Sequence, residues 1–376
     1  MRASGSCIAP PTCLPPREGD TSLHWNDGLE LIPYKASITL SAKISPERSS
    51  LPIDFLRAKL SVALLLTLAS TNTALAQPPY PIKPIRLINP FPPGGGASII
   101  GRQIAQELTV RLGQPVVFDN RGGAGGIIGM EIAARAAPDG YTLTMSTAST
   151  VTINPLLTKV PFDPIKDFAP VSHVSNVPLL LVVHPTVAAK STKEFIALLK
   201  AQPDKLNFAS SGKGTISHLA GELFKHSAGV SMVHVPFRGG GPALVDVLGG
   251  QVQINFANIL SSLPHVKGAR LRGLAVTSAK RSSAIPELPT VAESALPGYE
   301  VVQWNGVLAP ARTPSLIIAR LNIEIERLLA LPEMKSRLAA DGADAAGGPP
   351  EKFAAFIRAD IEKWARVIKA AQVQVD

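Results

Sequence analysis

Three glycine- and serine-rich loops, 92–98, 121–129 and 209–217, carry the residues best suited to hold a ligand. Each follows a strand-like apolar run and opens a helix-like one. In open α/β sheets, ligands sit beyond the carboxyl ends of strands. A helix N-terminus adds unpaired N–H groups and the positive end of a dipole, which favour an anion. Gly94, Gly95 and Gly96 let backbone approach a ligand closely. Ser210, Ser211, Gly212, Gly214, Thr215 and Ser217 add small donors, and His218 heads a helix with Glu222 one turn on. This pattern describes two half-sites for a carboxylate or phosphate. It is also the ordinary punctuation of turns.

Other chemistries fail on inspection. G-x-G-x-x-G from Gly94 breaks at Ile99 and from Gly123 at Ile128, so no dinucleotide fingerprint is present. A phosphate loop ending at Gly212-Lys213 would need glycine where Asn207 stands and Ser or Thr where Gly214 stands. Ser210 to Lys213 matches S-x-x-K, but S-D-N and K-T-G are missing, as is G-x-S-x-G. The histidines 173, 184, 218, 226, 234 and 265 never take H-x-x-x-H spacing, and no metal site or cofactor is expected. Asp119, Asp139, Asp163 and Asp167 sit beside turns, where Asp is usually a cap. Without a nucleophile–base pair, a secreted hydrolase is the weakest of the functional readings. Trp304 is expected to pack in a core.

The elements that must position these loops alternate. IRLINPF (85–91), PVVFDN (115–120) and YTLTMST (141–147) read as strands. Between the first two, Ile100, Ile104, Leu108 and Leu112 mark one face of a helix over 98–112 that Gly113 stops. The β-α-β-α-β order predicts a parallel, doubly wound sheet. A second unit follows, with strands in 172–185, 205–212, 231–237, 251–258 and 270–278, helices over 193–201 and 215–228, and a loop and helix in 239–250. PELPTVAES reads as a polar connection and GYEVVQWNGVLAP as a strand into a loop. Helices close the chain at about 314–330, 333–340 and 351–371.

Composition narrows the class. The chain has 376 residues, 45% hydrophobic and 17% charged, enough for one large or two medium domains and unlike a disordered chain. Its net charge of +9 comes from scattered Lys and Arg, and with 12 Phe, 4 Tyr and 3 Trp a nucleic-acid stacking platform is not expected. RAKLSVALLLTLASTNTALAQ (57–77) has a positive start, a short apolar run and Ala74-Leu75-Ala76, the pattern of a secretory signal peptide. That run is too short to span a membrane. Residues 1–56 then form a non-native or disordered extension. The mature chain from about Gln77 has no cysteine, since Cys7 and Cys13 precede it. The expected location is the periplasm.

Eight stretches stand out in order: PFPPGGGASIIGR (90–102), LGQPVVFDNRGGAGGIIG (112–129), APDGYTL (137–143) and INPLLTKVPFDPIKDFAPVS (153–172). LNFASSGKGTISHLAGELF (206–224), MVHVPFRGGGPALVDVLGGQV (232–252), LAVTSAKRSSAIPELPTVAE (274–293) and WNGVLAPARTP (304–314) continue them. These segments and their order resemble the extracytoplasmic substrate-binding receptors of the tripartite tricarboxylate transporter family, the Bug receptors. The resemblance implies an α/β, two-lobed Venus-flytrap fold, each lobe a mostly parallel sheet flanked by helices. Lobe one would be 77–178 plus 303–376 and lobe two 179–302, with hinge crossings near 175–182 and 298–306.

By the same resemblance, the protein captures a small carboxylate between its lobes and delivers it to membrane transporter subunits. It would be a monomer without enzymatic activity, nucleic-acid partner or membrane span. A ligand sensor of the same fold serving a signalling partner is the alternative. Ligand contacts carried over by position are Phe91, Gly94, Gly95, Ala97, Ser98, Thr147 and Ser149 in lobe one. In lobe two they are Ser210, Gly214, Thr215 and His218, with Asn258 a further contact. Ser98 stands where the family usually has Asp, and Ala257 where it often has an acid. Two lost carboxylates imply poorer binding of amino-bearing ligands.

Overall fold

The computed structural model describes residues 80–370. The expected extension 1–56, the signal peptide 57–76, the cleavage before Gln77 and both cysteines lie outside the described residues. The chain divides between Ala76 and Gln77 into two units, and the second holds every described residue.

Strand β1 (Ile85–Asn89) runs parallel to β2 (Val116–Asn120) on one side and β3 (Thr142–Thr147) on the other. Parallel strands need covered faces. Helix α1 (Gly96–Leu112) covers one, burying Ile100, Ile104, Leu108 and Leu112 as their spacing predicts. Gly113 ends it at φ 66°, a left-handed conformation that suits glycine. A 3₁₀ turn, Ala124–Gly126, leads from β2 into α2 (Ile127–Ala134). After β3 the chain winds a buried π-helical turn, Ser149–Ile153, into α3 (Asn154–Leu157).

Strand β4 (Phe168–Val183) belongs to both halves of the sheet. From Phe168 to Pro178 it pairs antiparallel with β9 (Val302–Pro310). From Leu179 onward it pairs with β7 (Ile254–Asn258), and from Leu180 with β8 (Arg272–Val276), both antiparallel. Beyond β7 lie β5 (Asn207–Ser210) and then β6 (Val233–Pro236), parallel to one another and β5 parallel to β7. The expected parallel pairing therefore holds on the flanks. The strands that join the flanks are antiparallel, because the chain crosses on β4 and returns on β9, which also pairs antiparallel with β3. The result is the expected two-lobed α/β architecture.

Helices α4 (Thr192–Ala201), α5 (Ile216–Ala228), α6 (Gly240–Leu248) and α7 (Ile259–Lys267) belong to the second lobe. Ile259, Leu263 and Val266 carry helical spacing in α7, but Pro264 interrupts it, and Asn258 starts the helix by accepting the Leu260 N–H at 3.1 Å. The polar connection PELPTVAES holds one helical turn, α8 (Val291–Ser294), closed by a capping box between Thr290 and Glu293. Helices α9 (Ser315–Ala330), α10 (Pro332–Ala340) and α11 (Pro350–Ala370) finish the chain, and α9 and α11 pack on β4. Strand β10 (Asp344–Ala345) pairs with β4 between them.

Two apolar cores lie on opposite faces of the sheet, sorted by strand alternation. Leu180 and Val182 enter one, Leu179, Leu181 and Val183 the other. Trp304 packs in the second as expected, 5.5 Å from Phe353 in an edge-on pair. Its Nε1 donates to Asp360 Oδ2 at 2.7 Å.

Candidate functional site

The loops picked out in the sequence converge where the strands end. Asn89 closes β1 and its side chain donates to the Phe91 carbonyl at 2.9 Å, fixing the turn into 92–95. The loops after β3, β5, β6 and β7 arrive from the other strands of both lobes. Between them is a cavity of about 40 Å³. Phe91, Gly95, Gly96, Ala97 and Ser149 line it from the first lobe. Ser211, Gly240, Asn255, Ala257, Asn258 and Ser261 line it from the second, and Gln303 of β9 completes the wall.

No side chain on that wall carries a charge. The electrostatics come from backbone. Helices α1, α6 and α7 start at Gly95, Gly239 and Asn258, so three N-termini end at the cavity. None has an acidic residue in its first turn. At about half an elementary charge per terminus, they present roughly +1.5 charges to the enclosed space. Asn258 sharpens this field. Its Oδ1 is committed to the Leu260 N–H, which fixes the amide orientation. Its Nδ2 is then a buried donor without a partner. Such a group costs about 1–3 kcal/mol until an acceptor reaches it. The arrangement suits a small anion held by neutral donors.

A fourth helix start is already occupied. The Ile216 N–H, first in α5, donates to Ser149 Oγ at 2.9 Å across the cleft. The loop leading to it is braced from below. Ser210 Oγ meets His234 Nε2 at 2.6 Å, and His234 stacks on His218 with ring centres 3.9 Å apart. His218 Nδ1 accepts the Gly214 N–H at 3.3 Å, and Thr215 Oγ1 donates to the Gly212 carbonyl at 2.7 Å. Burial, helped by Lys225 and Lys213, holds His218 down to about 4. Burial and the neighbouring His218 hold His234 down to about 3. Both rings are neutral braces near pH 7.

Five of the residues carried over from the resemblance therefore line the cavity: Phe91, Gly95, Ala97, Ser149 and Asn258. Seven do not. Gly94 packs its backbone on Gly241. Ser98 is 3% exposed within α1, and its N–H is bonded to the Gly95 carbonyl. Thr147 is buried at the end of β3. Ser210, Gly214, Thr215 and His218 form the braced loop. The structure does bring a serine and a histidine together, which sequence spacing did not reveal. Ser210 is fully buried, however, and its Oγ also engages the Gly212 backbone, so no electrophile reaches it. Ser211 was singled out as a small donor. Gly240, Asn255, Ser261 and Gln303 were not, although Gly239-Gly240-Gly241 repeats the Gly94-Gly95-Gly96 signal.

The aspartates serve turns and surface ion pairs. Asp163 accepts the Ile165 and Lys166 N–H groups, Asp139 that of Tyr141, and Asp119 pairs with Arg86 at 2.7 Å. Among the described residues no cluster of three His, Cys, Asp or Glu could hold a metal ion, and no helix is long and apolar enough to cross a membrane. A larger cavity of about 680 Å³ lies between β4, β9, residues 278–283 and α11. It shares no residue with the cleft. Lys280, Arg281 and Lys363 are balanced there by Glu300, Asp344 and Asp360, so it presents no single-sign field.

The family described as the tripartite tricarboxylate transporter family receptor matches residues 100–373. Protein BugT of Bordetella pertussis is 37% identical over 311 residues, covering 82% of this chain and 95% of BugT. Rpa4515 of R. palustris, solved with adipate, superposes with a TM-score of 0.77 at 34% identity, covering 78% of this chain and 99% of its own. MatC of Rhodopseudomonas palustris, solved with bound malate, superposes at 0.74 with 31% identity, covering 77% and 100%.

Proposed function

Because the chain belongs to the tripartite tricarboxylate transporter receptor family, we propose that it is a periplasmic receptor that closes on a small carboxylate and delivers it to a membrane transporter of that type. The observation that carries the ligand class is the convergence of three helix N-termini and the unpartnered Asn258 Nδ2 on an uncharged cavity. Adipate and malate, held by the two similar proteins of known structure, are carboxylates of this kind.

In this reading Phe91, Gly95, Ala97, Ser149 and Asn258 contact the ligand, together with Ser211, Gly240, Asn255, Ser261 and Gln303. Ser210, Gly214, Thr215 and His218 act beneath them by holding the loop. Residues 77–178 with 303–376 form one lobe and 179–302 the other, a division supported by the transfer of β4 from β9 to β7 at Pro178 and Leu179. Export through the 57–76 signal fits this role. Binding selects the closed form through its higher affinity there. The receptor does no chemistry on its cargo.

Thermal unfolding against a panel of carboxylic acids tests the reading. A ligand at one hundred times its Kd adds about 2.7 kcal/mol, which raises the midpoint of a domain this size by several degrees. Adipate, malate or a related acid is expected to do so. No shift with any mono-, di-, tri- or aromatic carboxylate would overturn the ligand class.

A further inference from the structure

Two glycine triplets from opposite lobes, 94–96 and 239–241, face each other beside the cavity. Glycine is usually needed where backbone turns left-handed. That reason applies to Gly94, at φ +90°. It does not apply to Gly96 or Gly241, which lie in the first turns of α1 and α6 with ordinary helical backbone. At Gly96 alanine would suit the helix better, whereas at Gly241 a Cβ would also crowd the following Pro242. At both positions the other lobe stands in the way. A Cβ on Gly241 would stand 2.6 Å from the Pro93 carbonyl oxygen and 3.3 Å from Gly94 Cα, both backbone and unable to swing away. A Cβ on Gly96 would strike the Asn258 side chain, which is tied down by its bond to Leu260.

We propose that Gly96 and Gly241 are closure-determining residues, kept side-chain-free so that the two lobes can shut on the ligand. The inference rests on the capture reading above and adds to it how the shut state is reached. The two triplets let α1 and α6 bring their N-terminal N–H groups to the same small space. A methyl group at either position props the lobes apart and withdraws one donor set from the ligand. The Ser149–Ile216 hydrogen bond, which crosses the cleft, then breaks as well.

The test compares the protein with its Gly96→Ala and Gly241→Ala variants in four measurements. The unfolding midpoint without ligand is expected to stay within a few degrees, since neither change disturbs the packing inside a lobe. Amide exchange at Ile216, also without ligand, is expected to quicken at least tenfold. Titration with adipate and malate is expected to show at least tenfold weaker binding, and solution scattering less compaction. Adding Asn258→Ser to Gly96→Ala keeps the helix cap, removes the clash and should restore slow Ile216 exchange. A larger fall in the unliganded midpoint with unchanged Ile216 exchange would mean the glycines serve their own lobes and would overturn the inference. Equal Ile216 exchange in all variants would overturn it too. If the unmodified protein responds to neither acid, the carboxylate reading is what suffers, while Ile216 exchange still decides the glycines.

Discussion

Ser149 Oγ accepts the backbone N–H of Ile216 at 2.9 Å, joining the turn after β3 to the first residue of α5 in the other lobe. The same serine lines the cavity. One hydroxyl thus meets both the ligand space and the closing contact. Replacing Ser149 with alanine leaves that N–H without its acceptor in the shut state. A neutral hydrogen bond of this kind contributes about 1 kcal/mol, so adipate or malate should bind about fivefold more weakly. The same loss should quicken Ile216 amide exchange without ligand. Calorimetry and amide exchange on the same sample check the two halves, and unchanged Ile216 exchange would contradict the cross-cleft role.

Acid should weaken the fold through two buried histidines, His173 and His218, and the half-buried His234. Burial holds His173 and His218 down to about 4 and, with the charge of His218, His234 down to about 3. In the unfolded chain each titrates near its ordinary value of about 6.5. Between these limits the unfolded state binds more protons, so stability rises with pH. The contribution is complete above pH 6.5 and is lost as pH falls toward 4. Urea midpoints at pH 7.5, 6.0 and 5.0 should fall in that order. A flat profile would mean these rings are not buried neutral.

The cavity should reject amino groups. Its wall carries no carboxylate, Ala257 is the residue that lines it beside Asn258, and three positive helix ends repel an ammonium. Ser98 lies off the wall, so it matters less here than Ala257 does. Succinate and aspartate differ by one amino group. Aspartate is expected to bind at least tenfold more weakly by calorimetry, and Ala257→Asp should narrow that gap. Equal binding of the pair would contradict the uncharged-wall account.

Trp304 and Asp360 join β9 to α11 through one bond of 2.7 Å. Burial pushes the Asp360 carboxyl up from the usual carboxylate range. Trp304→Phe removes this donor and leaves the half-buried carboxyl with Thr152 and Trp364 beside it. A hydrogen bond to a charged group is worth about 1.5–3 kcal/mol, and a loss of that order is expected in urea unfolding followed by circular dichroism. Asp360→Asn keeps an acceptor and removes the charge, so it should cost much less. Equal losses would assign the effect to packing around the indole.

Local patterning made much of this protein legible. The stripe of Ile100, Ile104, Leu108 and Leu112 marks α1, and Gly113 marks its end. The β-α-β order marks parallel flanks. Helix α7 was hidden because Pro264 masks a helical pattern whose real signal is the Asn258 cap. The antiparallel joining of the two flanks was hidden as well. Pairing direction follows from where a chain crosses and returns, which no window of residues contains.

At the site, the same division holds for a physical reason. Residue type and local order determined that the loops after β1 and β5 would open helices and offer N–H groups to an anion. They also determined that Gly94, Gly95, Ser210 and Thr215 would belong to those loops. Only the tertiary structure decided which of them face the ligand. Ser210 and Thr215 turn inward because His234 and the Gly212 carbonyl satisfy their hydroxyls, whereas Ser149 and Asn258 turn to the cleft. Asn255 and Gln303 enter the wall from strands nearly fifty residues apart in sequence. A binding site is an enclosed volume. Its walls are set by how two lobes approach, and that approach is a sum of distant contacts rather than a property of any one segment.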